Sequence, residues 1–405
     1  MPEPSPSFLR WREIPGSVWT LGLVSLFMDL SSEMIHALLP LYLVTVLGAS
    51  TPTVGFIEGI AEATASISKI FSGAFSDYLG HRKWVAALGY GLAAVSKPIF
   101  PLAADIGWVA AARFIDRVGK GIRGAPRDAL VADLTPPELR GSAYGLRQSL
   151  DTVGAVLGPL LAIGLMAAFA DNFTAVFWVA VVPAFISTAI IVLGVREPPH
   201  HGRKVQMPLG RRELGRLGRS FWAIVVVAAI FTLARFSEAF LLLRAQSTGL
   251  PIAIVPVVLV VMNGVYTATA WPAGVLSDRI GRYGMVTIGF AVLILADLVL
   301  AAGSGVGLVM AGVVLWGLHM GLTQGLLSAL VADTAPAALR GTAFGMFNLV
   351  SGLAMLAASI IAGAMWEMIG PDGTFLTGAA FAAVALAALP FVRWRAAKAA
   401  ARQRP

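Results

Sequence analysis

Apolar runs of about twenty residues or more recur along this chain with only short polar breaks between them, and this pattern limits its possible folds more than any other feature. The runs lie at roughly 18–47, 53–77, 84–104, 107–131, 141–168 and 173–194. After a basic stretch they resume at 220–246, 251–277, 284–303, 306–332, 340–365 and 373–392. Only 13% of residues are charged, 57% are apolar and the mean hydropathy is +0.79. An ordinary soluble domain carries about 25% charged residues, so in water these runs would leave large apolar surfaces. The pattern predicts an all-α membrane protein with twelve transmembrane helices. The 405 residues leave little room for anything else.

Reactive chemistry is sparse. There are no cysteines, which removes thiolate nucleophiles and disulfides, and the five histidines lack the H-E-x-x-H spacing of a metal site. Gly119-Lys120 is followed by Gly121, so the hydroxyl residue of a phosphate-binding loop is missing, and no G-x-S-x-G elbow occurs. An enzyme is not expected, and neither is a cofactor or a bound metal.

The net charge of +8 and pI near 10.1 are accounted for by topology, and nucleic acid is not an expected partner. Threading the runs alternately across a bilayer places Arg10, Arg12, Arg82, Lys83, Arg140, Arg196, Arg211, Arg279, Arg282, Arg340 and the tail Arg393 to Arg404 on one side. The opposite loops, around 48–52, 105–106, 169–172, 247–250, 304–305 and 366–372, contain no Lys or Arg. By the positive-inside rule both termini are cytoplasmic, and the expected location is the cytoplasmic (inner) membrane. The first run is too long for a signal-peptide core and reads as a span.

The two halves repeat each other. Leu130-Val131-Ala132-Asp133 with Leu139-Arg140-Gly141 returns 200 residues later as Leu330-Val331-Ala332-Asp333 with Leu339-Arg340-Gly341. Gly73, Ser76, Asp77 and Gly80 return 201 residues later as Gly274, Ser277, Asp278 and Gly281. A duplicated six-helix unit follows, with both copies in the same orientation. The expected organisation is an N-terminal bundle over 1–194, a cytoplasmic basic linker over 195–219, a C-terminal bundle over 220–392 and a cytoplasmic basic tail over 393–405.

The segment Gly73-Ala74-Phe75-Ser76-Asp77-Tyr78-Leu79-Gly80-His81-Arg82-Lys83 resembles the loop signature G-x-L-x-D-R-x-G-R-K of the major facilitator superfamily. Its second copy, Gly274 to Arg282, is closer still. The resemblance implies two pseudo-symmetric six-helix bundles and secondary transport by alternating access. It also implies that Gly73, Asp77, Gly80 and Arg82, with Gly274, Asp278, Arg279, Gly281 and Arg282, form gating loops. Tyr78 and His81 depart from the family's usual arginines. Arg117-Val118-Gly119-Lys120-Gly121 resembles the proton-transfer motif R-x-x-Q-G with Lys for Gln. Gly154 to Ala162 resembles the antiporter signature G-x-x-x-G-P-x-x-G-G without its last glycines. Here the alternative is close helix packing and a proline kink.

A charge at the bilayer centre costs at least about 2.5–3.5 kcal/mol, so charges within spans should face a wet cavity or one another. Span one carries Asp29, Glu33 and His36 on one helical face, and span two carries Glu58, Glu62 and Lys69. Span four carries a stripe of Arg113, Arg117, Lys120 and Arg127, with Asp116 and Arg123 beside it. Span five adds Arg147 and Asp151, and span seven adds Arg235 and Glu238. Spans six and twelve have no charge, and spans three and nine have one each, Lys97 and Asp297, which places those four toward lipid. The proton-carrying candidates are Asp29, Glu33, Glu62, Asp151 and Glu238. Candidates for substrate and cavity wall are His36, Asp116, Arg117, Lys120, Arg147, Arg235, Asn263, Tyr266, His319, Gln324 and Asn348. The alternative for any one of them is an internal salt bridge, such as Arg147 with Asp151 or Arg235 with Glu238.

Two functions fit. The first is proton-coupled efflux of a small organic molecule by antiport. The second is proton-coupled uptake of an organic anion, suggested by the basic stripe of span four. The partners are then a small-molecule substrate, protons and the lipid bilayer, with the chain working as a monomer.

Overall fold

The computed structural model describes residues 13–79, 81–136, 139–197, 215, 217–334 and 339–402. Most of the 195–219 linker and the end of the tail lie outside them. Every regular element among the described residues is helical: α1 (Gly16–His36), α2 (Leu39–Thr45), α3 (Thr51–Leu79), α4 (Arg82–Ser96), α5 (Ile99–Leu102), α6 (Ile106–Asp133), α7 (Arg140–Ala168) and α8 (Phe173–Gly194). Then follow α9 (Arg219–Leu233), α10 (Ala239–Ser247), a 3-10 turn (Ile252–Ile254), α11 (Val257–Ile280), α12 (Arg282–Ala302), α13 (Val306–Thr334), α14 (Arg340–Met368) and α15 (Pro371–Arg402).

Nine of the described helical segments are long and apolar enough to cross a bilayer, and Phe221–Leu233 is a shorter apolar one. The other two spans, α3 and α6, have the length, 29 and 28 residues, but carry charged side chains in place of apolar ones. The fold is therefore an all-α membrane protein of twelve spans. Where some of the short loops meet helices, side chains take up the orphan amides. Asp105 accepts from Gly107 N at 2.7 Å and Trp108 N at 3.1 Å, and Asn172 accepts from Ala175 N at 3.1 Å.

Three spans are broken. Span one is α1 and α2 about Ala37-Leu38, and span three is α4 and α5 about Lys97-Pro98, where Pro98 has no N–H to continue the helical ladder. Span seven, expected as one helix over 220–246, is α9 and α10 separated by Ala234 to Glu238. Spans three and nine expose apolar residues such as Leu88, Val95, Ile288 and Leu295, as lipid-facing helices should. Each nevertheless buries its single charge completely, Lys97 at 1% and Asp297 at 0% exposure.

Two compact units form, one from residues 1–39 and 67–206, the other from 40–66 and 207–405. In the second, α3 and α14 meet backbone to backbone: a Cβ on Gly55 would stand 2.2 Å from the Ser359 carbonyl oxygen, and one on Gly363 2.7 Å from that of Thr51. Between α11 and α12 the chain turns through Gly281 at φ 82°, ψ 148°, a region open essentially to glycine alone. Nothing lies within 4 Å of a Cβ built there, so the constraint is conformational. Gly281→Ala should therefore cost about 1–3 kcal/mol. Gly91→Ala, equally unobstructed inside α4, should gain up to about 1 kcal/mol of helix propensity. Thermal unfolding of the two purified variants checks both signs.

Candidate functional site

The first unit builds its site on close packing of α1 against α7. A Cβ on Gly154 would meet the Leu26 carbonyl oxygen at 2.6 Å, and one on Gly158 would meet Glu33 Cβ at 2.7 Å. The glycines that resemble the antiporter signature thus perform the packing role, and they bring α7 against the face of α1 that carries Asp29 and Glu33. Gly119 does the same for α4 and α6. A Cβ there would stand 2.6 Å from the Gly89 carbonyl oxygen, and this approach sets the charged stripe of α6 against Lys97 and Tyr90.

One group of charges gathers where α1, α6 and α7 meet. Arg127 donates from Nε to Asp128 Oδ1 at 3.1 Å and from Nη1 to Ser25 Oγ at 3.1 Å. It also stands 3.6 Å from Asp151. Arg147 lies 3.6 Å from Asp151 and 3.8 Å from Asp128 and donates to Gln148 at 2.6 Å. Arg123 approaches Asp29 at 3.6 Å with its guanidinium over the Tyr90 ring at 4.9 Å. Asp29 and Asp151 lie within electrostatic range of each other. The separations of 3.6–3.8 Å are ion pairs without hydrogen bonds. Arg147 Nε and Nη1 and Arg123 Nη1, all buried, donate to no described group.

A second group is tighter. Lys97 Nζ donates to Asp116 Oδ1 at 2.8 Å and to Ser32 Oγ at 3.0 Å, and Arg117 Nε stands 3.7 Å from Asp116 Oδ2. The Lys97 and Asp116 side chains are 2% and 3% exposed. Nearby on α1, His36 Nδ1 and Glu33 Oε2 are 3.3 Å apart. Lys120 is exposed.

The remaining candidates sit in the second unit. Arg235 and Glu238 lie in the break of span seven, where Arg235 is in electrostatic range of Glu238 and Tyr266. Glu62, Asn263, Gln324 and Asn348 are half-buried. His319 is fully buried between the rings of Trp316, 5.3 Å away, and Phe231, 6.3 Å away, so it is enclosed by aromatic packing. Of the gating candidates, Arg82 pairs with Asp133 across the start of α4 and the end of α6, and a Cβ on Gly73 would stand 3.3 Å from Ala125 Cβ. Gly80 lies outside the described residues, as do the surroundings of Gly274 and the side chains of Asp77, Asp278 and Arg279. Arg282 begins α12.

Lys97, Arg123, Arg127 and Asp128 belong to the site but were not among the sequence candidates. Lys97-Pro98 carried the usable signal, because a cation at a helix break within a span needs a buried partner. The Lys97–Asp116 pair also supplies a stability test. Removing one partner of a buried pair costs about 3–5 kcal/mol, whereas replacing both by apolar groups is near neutral. Asp116→Asn should lower the unfolding midpoint sharply, and Lys97→Met with Asp116→Leu should recover most of the loss.

A family model described as Major Facilitator Superfamily matches residues 21–356 and 239–405. An uncharacterised MFS-type transporter of Methanocaldococcus jannaschii is 33% identical over 389 residues, 94% of this chain and 96% of that protein. The inner membrane transport protein YajR of Escherichia coli is 25% identical over 400 residues, 92% of this chain and 83% of that one. Among solved structures, a variant of the nucleoside transporter NupG superposes with a TM-score of 0.81 at 13% identity, covering 93% of this chain and 99% of that one, which is a likeness of fold. The chain carries a buried ionic array on a twelve-span helical frame, matches the family model along most of its length and is a transporter that belongs to the Major Facilitator Superfamily.

Proposed function

We propose that this secondary transporter couples substrate movement to protons through Asp29 and Asp151, and that it carries an organic anion together with the proton. The observation that carries this reading is the set of guanidinium donors in the first unit that lack an acceptor, on Arg147 and Arg123. Arg123, Arg127 and Arg147 meet Asp29, Asp128 and Asp151 mostly at 3.6–3.8 Å, too long for hydrogen bonds, so donors remain for a further anion. Two neighbouring carboxylates repel, which favours a proton on one of them. Protonating Asp151 releases Arg127 and Arg147 from it, and a carboxylate or phosphate of the substrate can take its place.

This logic sets the sign of coupling. Proton and anion assist each other, which is symport, and an inward proton gradient then drives uptake. Efflux by antiport, the first of the two expectations, needs a substrate that competes with the proton, and guanidinium donors without an acceptor work against a cationic one. The two six-helix halves, 1–194 and 220–392, joined by the basic 195–219 linker, are proposed as the moving bundles of alternating access. Both termini and the tail over 393–405 are assigned to the cytoplasm by the loop charges, and the E. coli relative's name supports the inner membrane. A monomer suffices for this cycle. Asp77 and Asp278 are proposed to gate it.

Thermal stabilisation of the purified protein by succinate, benzoate and methyl phosphate, against choline and mannitol, tests the reading. The anions should stabilise, more at acid than at neutral pH. Arg147→Gln should weaken their binding about tenfold or more, the worth of one charge-assisted hydrogen bond of about 1.5–3 kcal/mol. Asp151→Asn, which mimics the protonated acid, should bind at neutral pH as the parent does at acid pH. Stabilisation by choline alone would restore antiport as the better reading.

A further inference from the structure

Asp297 plays no part in the array of the first unit, yet it is the least accommodated acid described in the second. It lies on α12, is 0% exposed, and neither of its carboxyl oxygens has a hydrogen-bond partner. Its Oδ2 stands 2.7 Å from the position a Cβ would take on Gly378 of α15, and Phe236 Cε1 stands 3.0 Å from the same point. Only a glycine there admits the carboxyl. Phe236 belongs to the break in span seven, and its ring meets those of Phe240 at 5.6 Å, Trp316 at 5.4 Å and Phe375 at 5.5 Å. The carboxyl is therefore walled by bare backbone and by the aromatic cluster that fills the break.

The other titratable or charged groups on the surrounding elements are otherwise placed. Arg244 of α10 donates to the carbonyl oxygens of Leu300, Ala301 and Gly303 and to Asp372 of α15. Arg235 and Glu238 lie in the break itself, with Tyr266 of α11 in electrostatic range of Arg235. His319 of α13 sits between Trp316 and Phe231. On α12 itself Arg282 and Tyr283 stand at the opposite end, at the helix start. An ionised carboxylate enclosed without donor or cation is strongly disfavoured, and a proton removes that cost.

We propose that Asp297 is a proton-binding site of the second unit, filled while Phe236 covers it and emptied when span seven rearranges at Ala234 to Glu238. This site is independent of the Asp29 and Asp151 pair, and its test needs no substrate. Infrared spectra of the purified full-length protein should contain a protonated-carboxyl band at neutral pH that Asp297→Asn removes. As the pH is raised the band should vanish, and deuterium exchange of peptides covering 234–238 should rise in the same interval. Asp297→Asn should abolish that rise after correction for intrinsic rates. Asp297→Leu serves as a second variant: a neutral acid in an apolar wall tolerates it, with an unfolding midpoint close to the parent's. Absence of the band, or its loss without any change in exchange at the break, would overturn the proposal. So would marked destabilisation by both Asn and Leu, which would reveal an ionised, partnered carboxylate.

Discussion

The cost of placing charge in hydrocarbon organises this protein. Each ionised side chain drawn into a span must find an opposite charge, a hydrogen-bond partner or water, and in the first unit α1, α4, α6 and α7 are arranged so that they do. Lys97, Asp116 and Ser32 form a closed set with short contacts. Asp29, Arg123, Arg127, Asp128, Arg147 and Asp151 form an open one, held at 3.6–3.8 Å in several of its pairs. A tight set stiffens the helices it joins. A loose one retains donors for something else to occupy, and the proposed coupling depends on that difference.

Glycine determines which charges can meet. Without side chains at Gly154 and Gly158, α7 approaches α1 at backbone contact, and Gly89 with Gly119 lets α6 approach α4. These crossings shorten the distance between acids on one helix and bases on the next, so packing and electrostatics share the same residues. Between α11 and α12, Gly281 contributes in another way, through a backbone conformation that side-chain-bearing residues avoid.

Much of this was legible from the chain. Runs of about twenty apolar residues and the alternation of basic and neutral loops predicted twelve spans, and the helices match those runs within a few residues apart from the breaks and the last helix, which continues past 392 to Arg402 through most of the expected tail. The stripe on span four identified the helix that carries the array, and Arg147 with Asp151 was anticipated as an ion pair. What failed was judgement about isolated charges. Lys97 and Asp297 looked like strays on lipid-facing helices, because periodicity describes one helix and says nothing of a neighbour's bare glycine or a partner across a crossing. The break at Lys97-Pro98 had a local cause in proline. That at Ala234 to Glu238 has no proline or glycine to announce it; there Ser237 N donates to Ser359 Oγ of α14 and Ala239 N to Ser237 Oγ, partners that periodicity along one helix cannot show. Asp128 shows its part only across a crossing, where it serves Arg147 from α7.

The claim that proton and anion bind together is tested most directly by following protons when ligand is added. Purified protein in weakly buffered detergent solution, with a pH indicator, should take up protons from solution on addition of succinate near neutral pH, and Asp151→Asn should abolish the uptake while preserving binding. Release of protons on binding, or binding with no proton movement in the parent protein, would contradict the account.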